Sequence, residues 1–193
     1  MTHKHADDLS FVLYSMGEDI FVNSGKYSYK DPDFRDYFIS SLSKNTATVN
    51  GESYELNEED ATGSFITDWA TKEEYDWVRG QHNLYEDTTI TRDVIFIKPN
   101  VFIIIDQMDS DQENTYQQVF NIAPNMTNIE YNNQGFTAES SKTDLKVHLS
   151  QLEDVDEINV YNGQDDPIRG YVSLYTDELI ETDQVEFVKK DGR

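Results

Sequence analysis

The sequence contains no cysteine among its 193 residues, which excludes disulfide bonds and thiolate chemistry. It also lacks an apolar run long enough to cross a membrane, since the longest one, Val101 to Ile105, has the length of a buried strand. No signal peptide, internal repeat, low-complexity stretch or linker is visible. The length is enough for one sizeable core, so we predict a single domain over residues 1–193.

Positive charge is scarce as well. Lys and Arg number 15 against 38 Asp and Glu, which gives a formal net charge of −23. A field of this sign repels polyanions, so we expect no nucleic acid and no anionic membrane as partner. It also fits a heparin-like polymer poorly, and a less charged uronate polymer or a neutral glycan fits better. The more ordinary interpretation is that the charge serves solubility.

What the sequence does contain is a series of short strand patterns separated by turns. Tyr, Phe and Thr are plentiful, and these residues favour pleated, half-buried surfaces. Turns are predicted at Asn50-Gly51, Lys98-Pro99-Asn100, Asn133-Gln134-Gly135 and Asn162-Gly163. The predicted strands are 9–14, 46–49, 53–56, 64–69, 88–97, 102–106, 115–121, 127–131, 136–139, 146–150, 158–161 and 171–175.

No long stretch has the 3.6-residue period of a helix. Short helical turns are predicted near Lys72 to Trp77 and Asp177 to Thr182. Closely spaced strands with turns between them are typical of an all-β protein. We therefore predict a large antiparallel β-sandwich with few helical turns.

Histidine is rare, yet two of the four histidines, His3 and His5, lie two residues apart. In an extended strand, residues i and i+2 point to the same face. Two imidazoles on one face make a candidate acid/base or metal site. The other two, His82 and His148, are isolated, and we interpret them as surface or hydrogen-bonded residues rather than catalytic ones.

The first fifty residues carry a denser pattern. His-x-His-x-Asp-x-x-Ser-Phe-x-Leu spans residues 3–13, and Phe-Val-Asn-Ser-Gly-Lys-Tyr-Ser-Tyr spans residues 21–29. Arg35 and the segment Asn-Thr-Ala-Thr-Val-Asn-Gly at 45–51 follow. This order and spacing resembles the heparinase II/III-like polysaccharide lyases, at the start of their C-terminal β-sandwich domain. A looser likeness continues from Arg92 to Asp106.

The resemblance implies a role for each histidine of the pair. His3 stands at the position of a catalytic histidine, and His5 at that of a zinc ligand. The two further ligand positions of the family, an aspartate and a histidine, are occupied here by Asn23 and Lys44. Zinc requires imidazole, thiolate or carboxylate ligands, normally three or four of them. We therefore predict that the zinc site is lost and that no cofactor is bound.

Two interpretations of the loss remain open. In the first, the Lys44 ammonium occupies the space of the metal and donates to the Asn23 side-chain oxygen and to a neutral His5 nitrogen. In the second, the site has drifted in a protein that no longer uses it.

The family likeness also implies a reaction. A polysaccharide lyase cleaves by β-elimination, in which a base removes the proton beside a uronate carboxylate, and a histidine near neutral pKa suits this task. In the family, a helical toroid domain completes the cleft. The match begins within the first residues, so we expect that this chain is inactive alone and needs the toroid of its parent chain or of a partner subunit. The resemblance implies a secreted, periplasmic or cell-surface location in bacteria.

Three further residues of the resembling block are candidates for polysaccharide binding. Tyr27 and Tyr29 offer aromatic faces that stack on sugar rings, and Arg35 pairs with uronate carboxylates. The tyrosines are equally well interpreted as packing residues of strands.

Two rivals to a lyase domain stay open. One is a non-catalytic carbohydrate-binding or structural sandwich, which the missing ligands and the acidic charge support. The other is a subunit that packs on a separately encoded helical domain. An exposed apolar face favours the second rival, and a closed polar surface the first.

Overall fold

The computed structural model describes residues 4–56 and 63–190. The first strands are short: β1 (Leu13–Ser15), β2 (Glu18–Phe21) and β3 (Ala47–Val49). Four long strands follow, β4 (Ser64–Thr71), β5 (Tyr75–Tyr85), β6 (Thr88–Ile97) and β7 (Val101–Ser110). The next group is β8 (Thr115–Asn121), β9 (Met126–Asn132), β10 (Gly135–Ser140), β11 (Lys146–Ser150) and β12 (Glu157–Asn162). The last are β13 (Gln164–Asp165), β14 (Ile168–Arg169), β15 (Tyr171–Val172), β16 (Ile180–Glu181) and β17 (Asp183–Lys190).

These strands confirm the all-β antiparallel prediction. Two four-stranded sheets have the orders β4-β5-β6-β7 and β12-β17-β8-β3, and a three-stranded sheet has the order β11-β10-β9. The largest apolar core lies between the last two sheets. It joins Phe120, Val185 and Phe187 to Phe136 and Ala138.

Several local predictions were wrong. Residues 72–77 form a turn and the start of β5 rather than a helical turn, and residues 177–182 lead into β16. Residues 53–56 form no strand, because β3 pairs with β8 instead. The strand predicted at 9–14 begins only at Leu13, since Leu9 adopts a positive φ of 56° that interrupts extended backbone.

One helix, α1 (Pro32–Ile39), was missed. Its start follows ordinary rules: the Asp31 side chain accepts a hydrogen bond from the Phe34 amide, and Pro32 occupies the first helical turn. Its buried face places Phe38 and Tyr37 against Tyr171. The helix thereby fixes the segment that leads into Lys44.

A buried ion pair connects the long sheet to the N-terminal segment. Arg92 on β6 contacts Asp106 on β7 with two hydrogen bonds of 2.6 and 2.7 Å. The same guanidinium donates to the backbone oxygens of Leu9 (3.0 Å) and Asn45 (2.8 Å). Asp106 also accepts from Gln118 on β8. This ion pair therefore holds together parts of the chain that are far apart in sequence.

The long sheet also exposes many large apolar side chains. Its members at the surface are Phe65, Ile66, Trp69, Tyr75, Ile97, Val101, Phe102 and Ile105. They lie on both faces of the sheet, since neighbours such as Phe65 and Ile66 point in opposite directions. Large exposed apolar side chains are typical of surfaces that another domain or chain covers.

We expect Asp106→Asn to destabilise the fold by about 3–5 kcal/mol, because it leaves the Arg92 guanidinium buried without a counter-charge. The free energy of unfolding is measured by urea denaturation. The matched control is Glu139→Gln, which removes one partner of the exposed pair between Glu139 and Lys146 and should leave the unfolding midpoint unchanged. Equal effects of the two variants would contradict the role assigned to the buried pair.

Candidate functional site

The candidate site is an open depression formed by two stretches of the N-terminal segment. Lys4, His5 and Asp7 line one side, and Asn23, Gly25 and Lys26 line the other. Ala6, which lies between His5 and Asp7 in the sequence, is anchored in the fold. The Ala6 amide, almost fully buried, donates to the Ile39 carbonyl at the end of α1. His5 and Asp7 on either side are consequently held at the surface of the depression.

Asp8, the residue after Asp7, provides a second anchor for this segment. The Asp8 carboxylate accepts two hydrogen bonds from Lys4 and one of 2.6 Å from the Tyr54 hydroxyl. Burial alone would raise the pKa of Asp8, but the hydrogen bonds from Lys4 and Tyr54 outweigh it and lower that pKa. The backbone of Asp8 is held too, since its carbonyl accepts from the Thr46 hydroxyl.

The opposite side of the depression is a tight turn. The Asn23 side-chain oxygen accepts the Gly25 amide at 2.8 Å, and Gly25 has a φ of +87°. A Cβ atom at Gly25 would lie 2.1 Å from the Ser173 carbonyl oxygen. Only glycine therefore satisfies this turn, both in its backbone conformation and in the space available.

His5 is half-buried in the depression. Its pKa is lowered, first by burial, then by the positive charge of Lys44 and more weakly by Arg35, while Asp7 opposes the shift. The lowered pKa favours the neutral imidazole at pH 7, the form that accepts a proton.

Lys44 lies directly behind the turn, with no exposed surface. Its ammonium donates to the Phe38 carbonyl (2.8 Å), the Ser24 hydroxyl (3.1 Å) and the Asn23 side-chain oxygen (3.4 Å). Burial lowers the pKa of Lys44 to about 8, and the Asp7 charge opposes this. The contact with Asn23 agrees with the sequence-based hypothesis. A hydrogen bond to His5 is not among the bonds that Lys44 makes within the described residues.

The two ligand replacements do not suit zinc. Asn23 offers a neutral amide oxygen that already accepts two hydrogen bonds, and Lys44 brings a positive charge. Within residues 4–56 and 63–190, no three His, Cys, Asp or Glu side chains are grouped as metal ligands. Among the described residues, His5 therefore lacks the group of carboxylate or imidazole partners that a zinc ion needs.

The candidates for sugar binding differ in exposure. Tyr29 is 64% exposed, and the cations of Lys26 and Arg35 lie 5.5 and 5.4 Å from its ring centroid. Tyr27 instead packs edge-on against Phe34 at 5.6 Å. Tyr29 and Arg35 are thus available to a ligand, whereas Tyr27 mainly packs. Sequence reasoning passed over Lys26, although it belongs to the resembling block.

His3 lies outside the described residues, so its catalytic role stays a prediction. The isolated histidines fall into two classes: His148 is exposed on β11, and His82 is buried on β5 against the rings of Tyr54 and Tyr85. Its Nδ1 accepts the Leu84 amide at 3.3 Å. This arrangement is that of a hydrogen-bonded core histidine.

Comparison with known proteins agrees with the family likeness of these residues. The heparinase II/III-like, C-terminal family model matches residues 1–185. The chain belongs to this family. No curated protein sequence matches it.

Heparinase structures share the fold. A heparan sulfate lyase, HepC from Pedobacter heparinus, gives a TM-score of 0.81 at 15% identity, covering 96% of this chain and 28% of that chain. A heparinase III gives 0.80 at 15% identity, over 97% and 28%. Another heparinase III gives 0.79 at 18%, over 99% and 29%. The family domain thus spans little more than a quarter of these proteins. Among the described residues, no helix is both long and apolar enough to span a membrane.

His82 makes a pH-dependent contribution to the stability of this family domain. Burial lowers the pKa of His82 to about 4 from an ordinary 6.5, while Asp8 raises it and Arg92 lowers it further. The unfolded chain therefore binds more protons than the folded one between these values. Stability is fully present above about pH 6.5 and is lost as the pH falls through about 4.

We expect about 3 kcal/mol of this pH-dependent loss to disappear in His82→Asn, which keeps an acceptor for the Leu84 amide but does not titrate. Urea denaturation of both proteins at pH 7.5 and pH 4 measures the difference. His148→Asn, at an exposed histidine, is the control and should behave like the native protein. An unchanged pH dependence in His82→Asn would contradict the assignment.

Proposed function

We propose that this chain is the C-terminal sandwich domain of a polysaccharide lyase that cleaves a uronate-containing polysaccharide by β-elimination. The family match over residues 1–185 carries the proposal, because it includes the His3–His5 motif. The relatives of known structure are described as a heparan sulfate lyase and heparinase III. A lyase of this kind is expected outside the cytoplasm, as a secreted, periplasmic or cell-surface protein.

The charges around the depression support an acidic sugar as substrate. Although the chain has a net charge of −23, Lys26 lines the depression, and Arg35 lies with Lys26 at the Tyr29 ring. Lys4 lines it too, but its ammonium is bonded to the Asp8 carboxylate, and Asp7 adds a negative charge. Tyr29 offers an exposed aromatic ring beside Lys26 and Arg35, and these two cations offer hydrogen bonds to a carboxylate. His3 is assigned the catalytic task. His5, neutral at pH 7, lies beside the substrate space as a second imidazole.

We propose that the domain acts together with a further domain or subunit that completes the cleft. Relatives of known structure are more than three times as long as the part matched here, and the β4–β7 sheet exposes a group of large apolar side chains. Both observations favour a partner surface, either the helical toroid of the same parent chain or that of a partner subunit. The depression is open to solvent, so we expect low activity of the sandwich alone.

The experiment that tests this function is a lyase assay on the natural full-length protein, with a panel of uronate polysaccharides and ultraviolet detection of the unsaturated product. We expect His3→Ala to lower kcat by about 10²–10⁴-fold, since removal of a proton-transfer group costs that much. His148→Ala, at an exposed histidine on β11, should leave the rate unchanged.

A folded protein that yields no product on any polymer would contradict the lyase proposal. If it still binds polysaccharide, the domain is a non-catalytic carbohydrate-binding module. The ligand changes at Asn23 and Lys44 make this the second candidate.

Binding measurements on a series of variants test the residues proposed to contact the polysaccharide. We expect Tyr29→Ala and Arg35→Met each to weaken polysaccharide binding by about tenfold, because each removes an aromatic or charge-assisted contact. Tyr14→Ala is the matched control: Tyr14 is 65% exposed, and no cation lies over its ring in the part of the chain that the structure describes. Affinity electrophoresis measures the dissociation constants. Equal loss in the Tyr14 and Tyr29 variants would contradict a specific subsite.

A further inference from the structure

Lys44 is a fully enclosed cation, and within residues 4–56 and 63–190 its ammonium contacts no carboxylate. Each of its three acceptors is neutral: the Phe38 carbonyl, the Ser24 hydroxyl and the Asn23 amide oxygen. A buried ammonium is costly unless its protons are all bonded, and here three oxygens are available for three protons. The arrangement is thus a cage built around a positive charge.

Two of the three acceptors are oriented by further hydrogen bonds of their own. The Ser24 hydroxyl donates to the Ser43 hydroxyl at 3.0 Å, which turns its lone pairs towards the ammonium. The Asn23 oxygen is fixed by the Gly25 amide. The Phe38 carbonyl belongs to the last turn of α1. Oxygens from two separate segments, the turn at residues 23–25 and the end of α1, therefore converge on one point, as they would around a metal ion.

The cage sits where the family resemblance implies metal ligands. Asn23 and Lys44 hold those two positions, and the positive charge of Lys44 acts on His5, the remaining ligand position. A divalent ion at this place would meet an ammonium that cannot move into solvent, because Lys44 has no exposed surface. Charge repulsion and the occupied space both oppose metal binding.

We propose that the Lys44 ammonium is a built-in cation that takes the place of a divalent metal ion, so that this chain holds its site together without metal. The Nζ atom joins the turn at residues 23–25 to the end of α1. These two segments carry the opposite walls of the depression: Asn23 and Gly25 belong to one, and Ile39 anchors Ala6 in the other. The proposal does not depend on the chain being a lyase.

Two zinc measurements test it. The native protein, dialysed against excess zinc and then against buffer, should retain no stoichiometric zinc by elemental analysis. Its thermal unfolding midpoint should be the same with zinc and with a chelator. One zinc per native chain would overturn the proposal, and this result requires no variant to fold.

The second measurement rebuilds the metal site. The double variant Asn23→Asp with Lys44→His supplies a carboxylate and an imidazole beside His5. We expect it to bind one zinc per chain, with a Tm rise of about 5–10 °C at zinc a hundredfold above its Kd. A folded double variant that binds no zinc would overturn the claim that Lys44 holds the place of the metal.

The control for the rebuilt site is His5→Ala in the double variant. It removes the third ligand, so zinc uptake and the Tm rise should both disappear. Uptake that persists without His5 would mean that the zinc binds elsewhere, and this outcome also overturns the proposal. None of these readouts involves polysaccharide cleavage, so a failed lyase assay leaves the test intact.

Discussion

The bidentate ion pair between Arg92 and Asp106 is the contact on which the rest of this domain depends. It lies between two neighbouring strands of the long sheet, but its remaining hydrogen bonds reach out of that sheet. Arg92 holds the carbonyls of Leu9 and Asn45, and Asp106 holds the Gln118 amide. A buried pair contributes to a unique structure only when such further bonds satisfy both charges, and here they do. The N-terminal segment has no strand of its own near Leu9 and relies on this contact for its path.

Asn45 extends the same framework into the second four-stranded sheet. Its side-chain amide donates to the Phe11 and Val22 carbonyls, and its side-chain oxygen accepts the Asn121 amide on β8. Asn121 in turn bonds Gln184 on β17. Each of these side-chain amides lies inside the protein and makes at least one hydrogen bond to backbone or to another amide, so the network has few alternative arrangements. Because Lys44 directly precedes Asn45, the position of the ammonium follows from the same network.

Sequence patterns predicted most of the strands because alternation of apolar residues is a local property. Strands β6, β8 and β11 begin and end where the pattern places them. Strand β5 was missed because polar residues such as Arg79 and His82 occupy it, and their partners, Asp93 across the sheet and the Leu84 amide, appear only in three dimensions. Helix α1 was within reach of the sequence, since the Asp31-Pro32 start is a recognised signal.

Only part of the candidate site was predictable from the sequence. The His3–His5 motif and the replacements at Asn23 and Lys44 are visible in the sequence, because each stands at a recognisable place in a family pattern. The other two acceptors of Lys44, the Phe38 carbonyl and the Ser24 hydroxyl, were not predictable. A backbone carbonyl carries no sequence signal, and its direction depends on where α1 ends.

The charges of the chain act both on the buried Lys44 ammonium and on the surface of the depression. In a chain with a net charge of −23, a buried ammonium benefits from the surrounding negative field, which favours its charged form even without a carboxylate in contact. The Asp7 charge acts on Lys44 in this direction. Lys26 lines the same depression, and Arg35 lies with it at the Tyr29 ring, so these two cations provide positive charge where an acidic sugar would lie. The acidic composition is therefore compatible with an anionic ligand, because close contacts within a few ångströms outweigh a distant field that salt screens.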